Sequence, residues 1–535
     1  MNLTELVRET TPNLNPDTCG GYVRYRSQHF ETYLNSIFRV MVSRLPDSIT
    51  CQPLVRVDPE EEFKYMSQRY ERKSYDFSRT DTYMMKTTFH YNGEKLSDAY
   101  IRLPYFNQGD IIYLYGAAYS ACPVLTDKSI SLKGNTVFVP LTCDRFIFTR
   151  ESFSYVRNGV RDVGYLLYSP IHHLAKTLSN SKVSQKTTII HYLLAKFGLT
   201  ETLTKLRMSG TVFGIDEEGY SEYRAKGYAM YSYDARRTLP RNVSKHMASY
   251  AAEPPIWFAI PESVPRSIAD GFAASFYYLY MYNMHRVSLL EVDDTTLFQI
   301  ILGRTIFPNG ETDVMVLNKV TDHLKVVDNF MDDFSRFRFA QDNIHVETFY
   351  DVLVFLACDL YTYLEGYNQN STSMYNKMLM VEFYYFEDVI KGIFRTMYEI
   401  QNCFARREPP LKELINFFNR KFPTDRILAL NQSAHPEVES VSSSTPCMAY
   451  KLTTRLAKRT GKAAKSAGGA QFDPVVSALD ASIAEVSNYL CITKAEPTGR
   501  GQLNPFVRIN AEGGIIRNNE FRELIDHTQK RLERT

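Results

Sequence analysis

The chain has 535 residues, 44% of them hydrophobic and 23% charged, a composition that fits soluble globular structure and a length that exceeds one hydrophobic core, so two or three domains are expected. Its formal net charge of +2 hides an uneven distribution, with lysine and arginine gathered toward the C-terminus and acidic pairs such as Asp332-Asp333 in the middle, so net charge decides nothing about nucleic acid. No apolar run reaches the roughly 18 residues of a membrane helix, and the N-terminal MNLTELVRETTPN lacks the basic and apolar regions of an export signal, so neither a membrane span nor export is expected. The eight cysteines are scattered, without a CxxC or a Cys/His cluster at metal spacing; reduced thiols in a cytosolic protein are expected, not a disulfide frame or a zinc site. Tyrosine (37) and phenylalanine (33) far outnumber the single tryptophan, so the Tyr-rich segments serve amphipathic surfaces as well as core, which suits large interfaces.

In chain order, residues 25–44 carry Phe30, Tyr33, Leu34, Ile37, Phe38, Val40 and Met41 at helical spacing, which predicts a helix with one apolar face. Residues 82–91 alternate as a strand. The stretch 103–127, LPYFNQGDIIYLYGAAYSACPVLTD, then reads as a hairpin meander. Asn107-Gln108-Gly109-Asp110 is a polar turn whose Gly109 can take positive φ, the following apolar run is a strand closed by Gly116, and Cys122 and Leu125 are core candidates. Strands at 135–140 and 145–149 complete a mixed α+β block. Residues 187–201 predict a helix ended by Gly198, with a fresh N-cap at Thr200.

Prolines 254, 255, 261 and 265 mark irregular connections, and from about 266 the chain becomes strongly helical. Residues 342–365 carry Phe349, Leu353, Phe355, Leu356, Leu360 and Leu364 at mixed three and four spacing; a polar loop covers 366–373, and 374–402 continues as a second long helix. Residues 448–469, MAYKLTTRLAKRTGKAAKSAGG, hold Lys451, Arg455, Lys458, Arg459, Lys462 and Lys465 and no acidic residue. Such a tract can follow the phosphates of a polyanion, and a solvated linker has the same composition. The expected fold class is α+β and multidomain. Residues 1–160 and 425–510 form one domain of mixed sheet and helices, interrupted by a largely helical unit at 161–424. The strands of the first block need pairing partners, and the late segment returns after an insertion with its own apolar faces.

Nothing in the chain carries the chemistry of a stand-alone enzyme. There is no GxxxxGK[ST] loop, HExxH, GxSxG or DxDxD-type carboxylate triad able to hold two Mg2+ ions for nucleotidyl transfer. His172-His173 have no nearby ligand partners and read as a structural or surface pair.

Stretches along the whole chain resemble the β subunit of multisubunit DNA-directed RNA polymerases. The 103–127 stretch is similar to the family's hairpin at the base of the protrusion domain, beside the DNA channel. The helix, short turn and Thr-Glu start at 187–201 look like the entry to the lobe. Tyr375-Asn376-Lys377-Met378-Leu379 resembles the signature by which a polar loop enters the next helix, although the family's glycine is missing. Ala449-Tyr450-Lys451-Leu452 resembles the entry of the segment that leads back to the protrusion and the RNA–DNA hybrid. RNNEFRELIDHTQKRL, from Arg517 to Leu532, resembles the bacterial QNNPLSEITHKRRI, which lines the fork and the wall of the hybrid channel, if one residue is inserted after Leu524.

The resemblance implies the N-terminal part of a split β subunit of the kind giant tailed phages encode. This would be a subunit of a nucleotidyltransferase without its catalytic centre, forming one wall of the DNA cleft and hybrid channel, in the cytoplasm of an infected bacterial host or in the virion. Residues 1–160 and 425–510 would be protrusion-like, 161–424 lobe-like, and 511–535 the start of the fork. No cofactor is expected on this chain; Mg2+ belongs on a partner subunit. The implied partners are the C-terminal β part, β′ parts, a promoter-specificity subunit, template DNA and the hybrid. Lys451, Arg455, Lys458, Arg459, Arg517, Asn518, His527, Lys530 and Arg531 would face nucleic acid, Phe521 and Leu524 would meet the next subunit, and Leu524 and Leu532 would pack inward. Ile516, where an acidic residue is usual, and Asp526 beside His527 imply weak or no inhibition by rifamycins. A phage structural protein would also be Tyr-rich, and a free-standing nucleic-acid-binding module would also carry the basic tract.

Overall fold

The computed structural model describes residues 22–70, 78–169, 186–233, 256–363, 373–425, 438–441, 455–457, 480–487 and 500–533, each stretch less a few positions. The Gln108-Gly109-Asp110 turn, Cys122, His172-His173, Pro254-Pro255, the 366–372 loop, Ala449, Tyr450, Lys451, Leu452, Lys458, Arg459, Lys462 and Lys465 lie outside the described residues. The architecture is α+β, with helices and mainly antiparallel sheets in two compact units. The first comprises Met1–Lys128, Asp332–Phe334 and Asn370–Thr535, the second Ser129–Met331 and Ser335–Gln369.

In the first unit the helix Tyr22–Val42 buries Phe30, Leu34, Ile37, Phe38 and Met41, each at most 5% exposed, at three- and four-residue intervals. It packs on the hairpin Thr82–Tyr91/Glu94–Pro104 and on the helix Glu382–Arg406, whose Val389, Ile393, Met397 and Ile400 present the complementary stripe. Rings knit these layers: Phe89 stacks on Phe418 at 3.9 Å and meets Phe38 edge-on at 6.1 Å, each such pair contributing about 0.5–1.5 kcal/mol beyond area burial. The hairpin Ile111–Leu114/Ala117–Ala121 turns through Tyr115 and Gly116, both at positive φ (52° and 76°), which matches the twist of a two-residue loop. Val438–Val441 adds a third strand beside Ala117–Ala121.

The second unit is built on a seven-stranded sheet ordered Val212–Phe213, Phe258–Pro261, Tyr228–Ser232, Arg145–Arg157, Thr136–Pro140, Ser131–Lys133, with Val160–Tyr168 paired to Arg145–Arg157. Helices Ile189–Lys205, Arg266–Asn283, Thr295–Ile306, Asp313–Asp328 and Phe349–Cys358 complete it. Its core is rich in tyrosine because the hydroxyls find partners. Tyr277 donates to the Ile256 carbonyl (3.0 Å), Tyr350 to the Leu324 carbonyl (3.3 Å) and Tyr231 to Asp270 (3.1 Å). Buried His191 closes a capping box, its Nδ1 accepting the Thr188 N–H at 3.0 Å.

Several expectations shift. The Gly198 break is present as a kink at φ 75°, ψ −178°, but Thr200 is not the cap: Asp293 accepts both its N–H (3.1 Å) and its hydroxyl (2.9 Å), so a residue distant in sequence supplies the acceptor. The 342–365 helix starts at Phe349 under a Thr348/Asp351 capping box and breaks at Asp359, whose carboxylate is held by both terminal nitrogens of Arg207 at 2.8 Å. The second long helix begins only at Glu382, because Met374–Asn376 is a tight 3-10 turn and Lys377–Met380 a strand paired with Val124–Asp127. The two compact units divide at 128/129 and 369/370. The 131–168 strands belong to the seven-stranded sheet, and the helix Glu382–Arg406 shares its core with Tyr22–Val42.

Candidate nucleic-acid interface

Three of the stretches singled out in the sequence meet in one small sheet of the first unit, ordered Lys377–Met380, Val124–Asp127, Arg455–Ala457, Arg500–Gln502. Val124–Asp127, the end of the 103–127 meander, is central. It pairs antiparallel with Lys377–Met380, Leu379 opposite Leu125, and by a parallel bridge with Ala457 of the basic segment. Arg455–Ala457 then pairs with Arg500–Gln502, Arg455 opposite Gln502 and Ala457 opposite Arg500. The residues just ahead of the C-terminal stretch join the other edge, where Met378 bridges to Gly514 and the Leu379 N–H donates to the Gly513 carbonyl at 2.7 Å. Leu379 (0% exposed), Met378 (4%) and Ile515 (2%) bury this junction in the core.

Beside it the 3-10 turn is fixed by a polar cluster that fastens Arg517. The Met374 N–H donates to the Ser482 hydroxyl (2.9 Å), and the Ser482 N–H donates to Asp480 (2.8 Å). The Tyr375 hydroxyl donates to Glu485 at 2.5 Å, while the Arg517 guanidinium lies over its ring, 5.0 Å from the centroid. Burial, then the Glu485 hydrogen bond, pushes the Tyr375 hydroxyl up to about 12, so it remains a donor at neutral pH. Hydrogen bonds from Ser482, with Arg517 nearby, hold the Asp480 carboxyl below the usual carboxylate range. The stack contributes about 0.5–1 kcal/mol at an exposed site, and it limits where the exposed Arg517 can point. A cation held in this way can take a phosphate oxygen with little loss of side-chain entropy.

The remaining expected residues are distributed as follows. Asn518 is half-buried; His527 and Lys530 are exposed on the helix Asn519–Leu532, which they share with the exposed Glu523 and Asp526. Phe521, Leu524, Arg531 and Leu532 belong to that helix by their main chain, and Arg455 to its strand, while their side chains lie outside the described residues. Ile516 is 46% exposed. Among the described residues no group of three or more His, Cys, Asp or Glu side chains could hold a metal ion, and no helix is long and apolar enough to cross a membrane. Cys51, Cys358 and Cys403 are free thiols, burial pushing Cys51 up to about 11 and Cys358 up to about 12.

Sequence reasoning missed Asp480, Ser482 and Glu485. A local signal exists, since Asp480 followed by Ser482 and Glu485 has the look of a helix start, but nothing local ties it to Tyr375. A family model described as non-virion RNA polymerase subunit matches residues 50–523. No curated protein matches the chain.

Proposed function

Because the chain belongs to the non-virion RNA polymerase subunit family, we propose that it is the N-terminal part of a split β subunit, forming one wall of the DNA cleft and RNA–DNA hybrid channel of a multisubunit DNA-directed RNA polymerase in the cytoplasm of a phage-infected bacterium. The observation that carries this reading is the convergence of the 103–127 meander, the Tyr375–Leu379 signature and the basic segment on one sheet, with Gly513 and Gly514, just ahead of the C-terminal stretch, joined to its edge. Stretches that only line up along the sequence by chance have no reason to become neighbours in space.

In this reading the first unit is protrusion-like and continues into the fork, and the second is lobe-like. Lys451, Arg455, Lys458 and Arg459 follow backbone phosphates without reading bases. Arg517, held on Tyr375, and Asn518, His527, Lys530 and Arg531 face the hybrid. Phe521 and Leu524 meet the chain that continues the β subunit. Nucleotidyl transfer and its Mg2+ fall to a partner subunit; this chain binds, orients and walls off the nucleic acid.

The test is affinity purification of the tagged full chain from infected cells. Stoichiometric co-purification of further polymerase subunits with DNA-dependent RNA synthesis is the expected result. A ring or lattice of this chain alone, or a monomer that binds DNA without partners, would overturn the reading.

A further inference from the structure

The second unit holds a partly open cavity of about 200 Å³ that no part of the polymerase reading uses. Its interior is apolar: Leu166, Ile190, Leu206, Phe272 and Leu356 are each at most 2% exposed. An apolar void is destabilising in proportion to its volume, and one of about 150 Å³ is large enough to hold a benzene molecule. This one therefore has room for a single aromatic ring or a short alkyl chain.

The mouth has different chemistry. Tyr165 (49% exposed) and Tyr361 (37% exposed) flank it, with the Arg150 guanidinium between their rings, 3.8 Å from the first centroid and 5.1 Å from the second. Arg150 Nε is buried without a hydrogen-bond partner, while the same guanidinium hydrogen-bonds the Tyr361 hydroxyl; among the described residues no carboxylate forms an ion pair with it. A guanidinium without a carboxylate partner favours planar, two-oxygen anions. Among the lining residues the Ser275 hydroxyl is already engaged, donating to the Gly271 carbonyl at 2.8 Å. An apolar chamber with one cationic group at its entrance is the ordinary form of a site for a small amphipathic anion.

We propose that this cavity binds a small monocarboxylic acid, its ring or alkyl body inside and its carboxylate on Arg150.

Octanoate and its uncharged analogue octanol serve as probes, titrated into the full-length protein and into Arg150→Gln and Ala357→Leu variants, with calorimetric binding and thermal midpoint as readouts. The expected result is saturable one-site binding of octanoate that raises the midpoint with concentration. In Arg150→Gln the octanoate affinity falls by about tenfold or more while octanol binding is unchanged; in Ala357→Leu, which fills the chamber, both are lost. Absence of saturable octanoate binding to the unaltered protein would overturn the proposal. So would Arg150→Gln binding octanoate as tightly, or losing octanol equally. The Arg150→Gln comparison stands even if Ala357→Leu fails to fold, and neither result bears on co-purification with polymerase subunits.

Discussion

Replacing Leu379 by alanine tests the junction on which the candidate interface is built. Leu379 is 0% exposed, lies opposite Leu125 in the strand pairing, and takes the Gly513 carbonyl through its N–H. The change removes three carbon centres, about 2.4 kcal/mol at roughly 0.8 kcal/mol each, and adds a cavity term of about 24 cal/mol per Å³ of space that fails to close. Leu125 across the ladder is only half-buried and can lean into the gap, so partial collapse and a total near 3 kcal/mol are expected. Urea unfolding followed by tyrosine fluorescence measures this. The midpoint should fall while the slope stays constant, since the area exposed on unfolding barely changes. A loss under about 1 kcal/mol would show that Leu379 is not buried between the 124–127 strand and the 513–516 segment, and the convergence at this sheet would fail with it.

Burial holds His191 neutral by pushing its imidazole down to about 3, against about 6.5 for an exposed histidine. The unfolded chain therefore binds a proton that the folded chain refuses. Stability is fully present above about pH 6.5 and is lost as pH falls toward 3, by about 2 kcal/mol at pH 5; urea midpoints for the protein and His191→Gln at pH 7 and pH 5 should show the slope only where the histidine is present. Changing Lys451, Arg455, Lys458 and Arg459 together to alanine should flatten the dependence of log K on log salt for hybrid binding by the assembled enzyme by up to about 3 units, and an unchanged slope would leave these residues as a solvated linker. If the proposed β assignment holds, Ile516, exposed where an acidic residue is usual in the resembling family, and Asp526, exposed beside His527, would change the polar partners of a rifamycin site, at about 1–3 kcal/mol per unpaired buried group. Transcription by the purified complex should continue through a rifampicin titration, and inhibition at concentrations that stop a sensitive bacterial enzyme would count against the tail assignment.

Local pattern was enough for elements whose partners are near or whose apolar face is continuous. The helix over 22–42 was legible because its stripe repeats without interruption; the strand at 82–91 is present but does not alternate, burying Tyr83-Met84-Met85 and Thr87-Thr88-Phe89 because both its faces are covered. Gly198 was legible because only glycine readily takes its backbone geometry. Elements defined by distant partners were not. Lys377–Met380 continues into a helical pattern and becomes a strand only because Val124–Asp127 offers a ladder; the cap at Thr200 is supplied by Asp293. The hairpin of Arg145–Arg157 with Val160–Tyr168 is complete by itself, and the wider sheet it joins is not written in its own residues. Of the interface, the cationic residues were visible as a composition bias. The Tyr375, Glu485 and Asp480 cluster that fixes Arg517 was not, since it joins three separate segments.

Whether this sheet lies against nucleic acid is read most directly by placing p-benzoylphenylalanine at position 517 in the assembled polymerase and irradiating it on a defined RNA–DNA hybrid scaffold. A crosslink to template DNA or nascent RNA, absent when the same group stands at the exposed position 322 of the second unit, is the predicted result. An active complex in which position 517 crosslinks only to protein would contradict it.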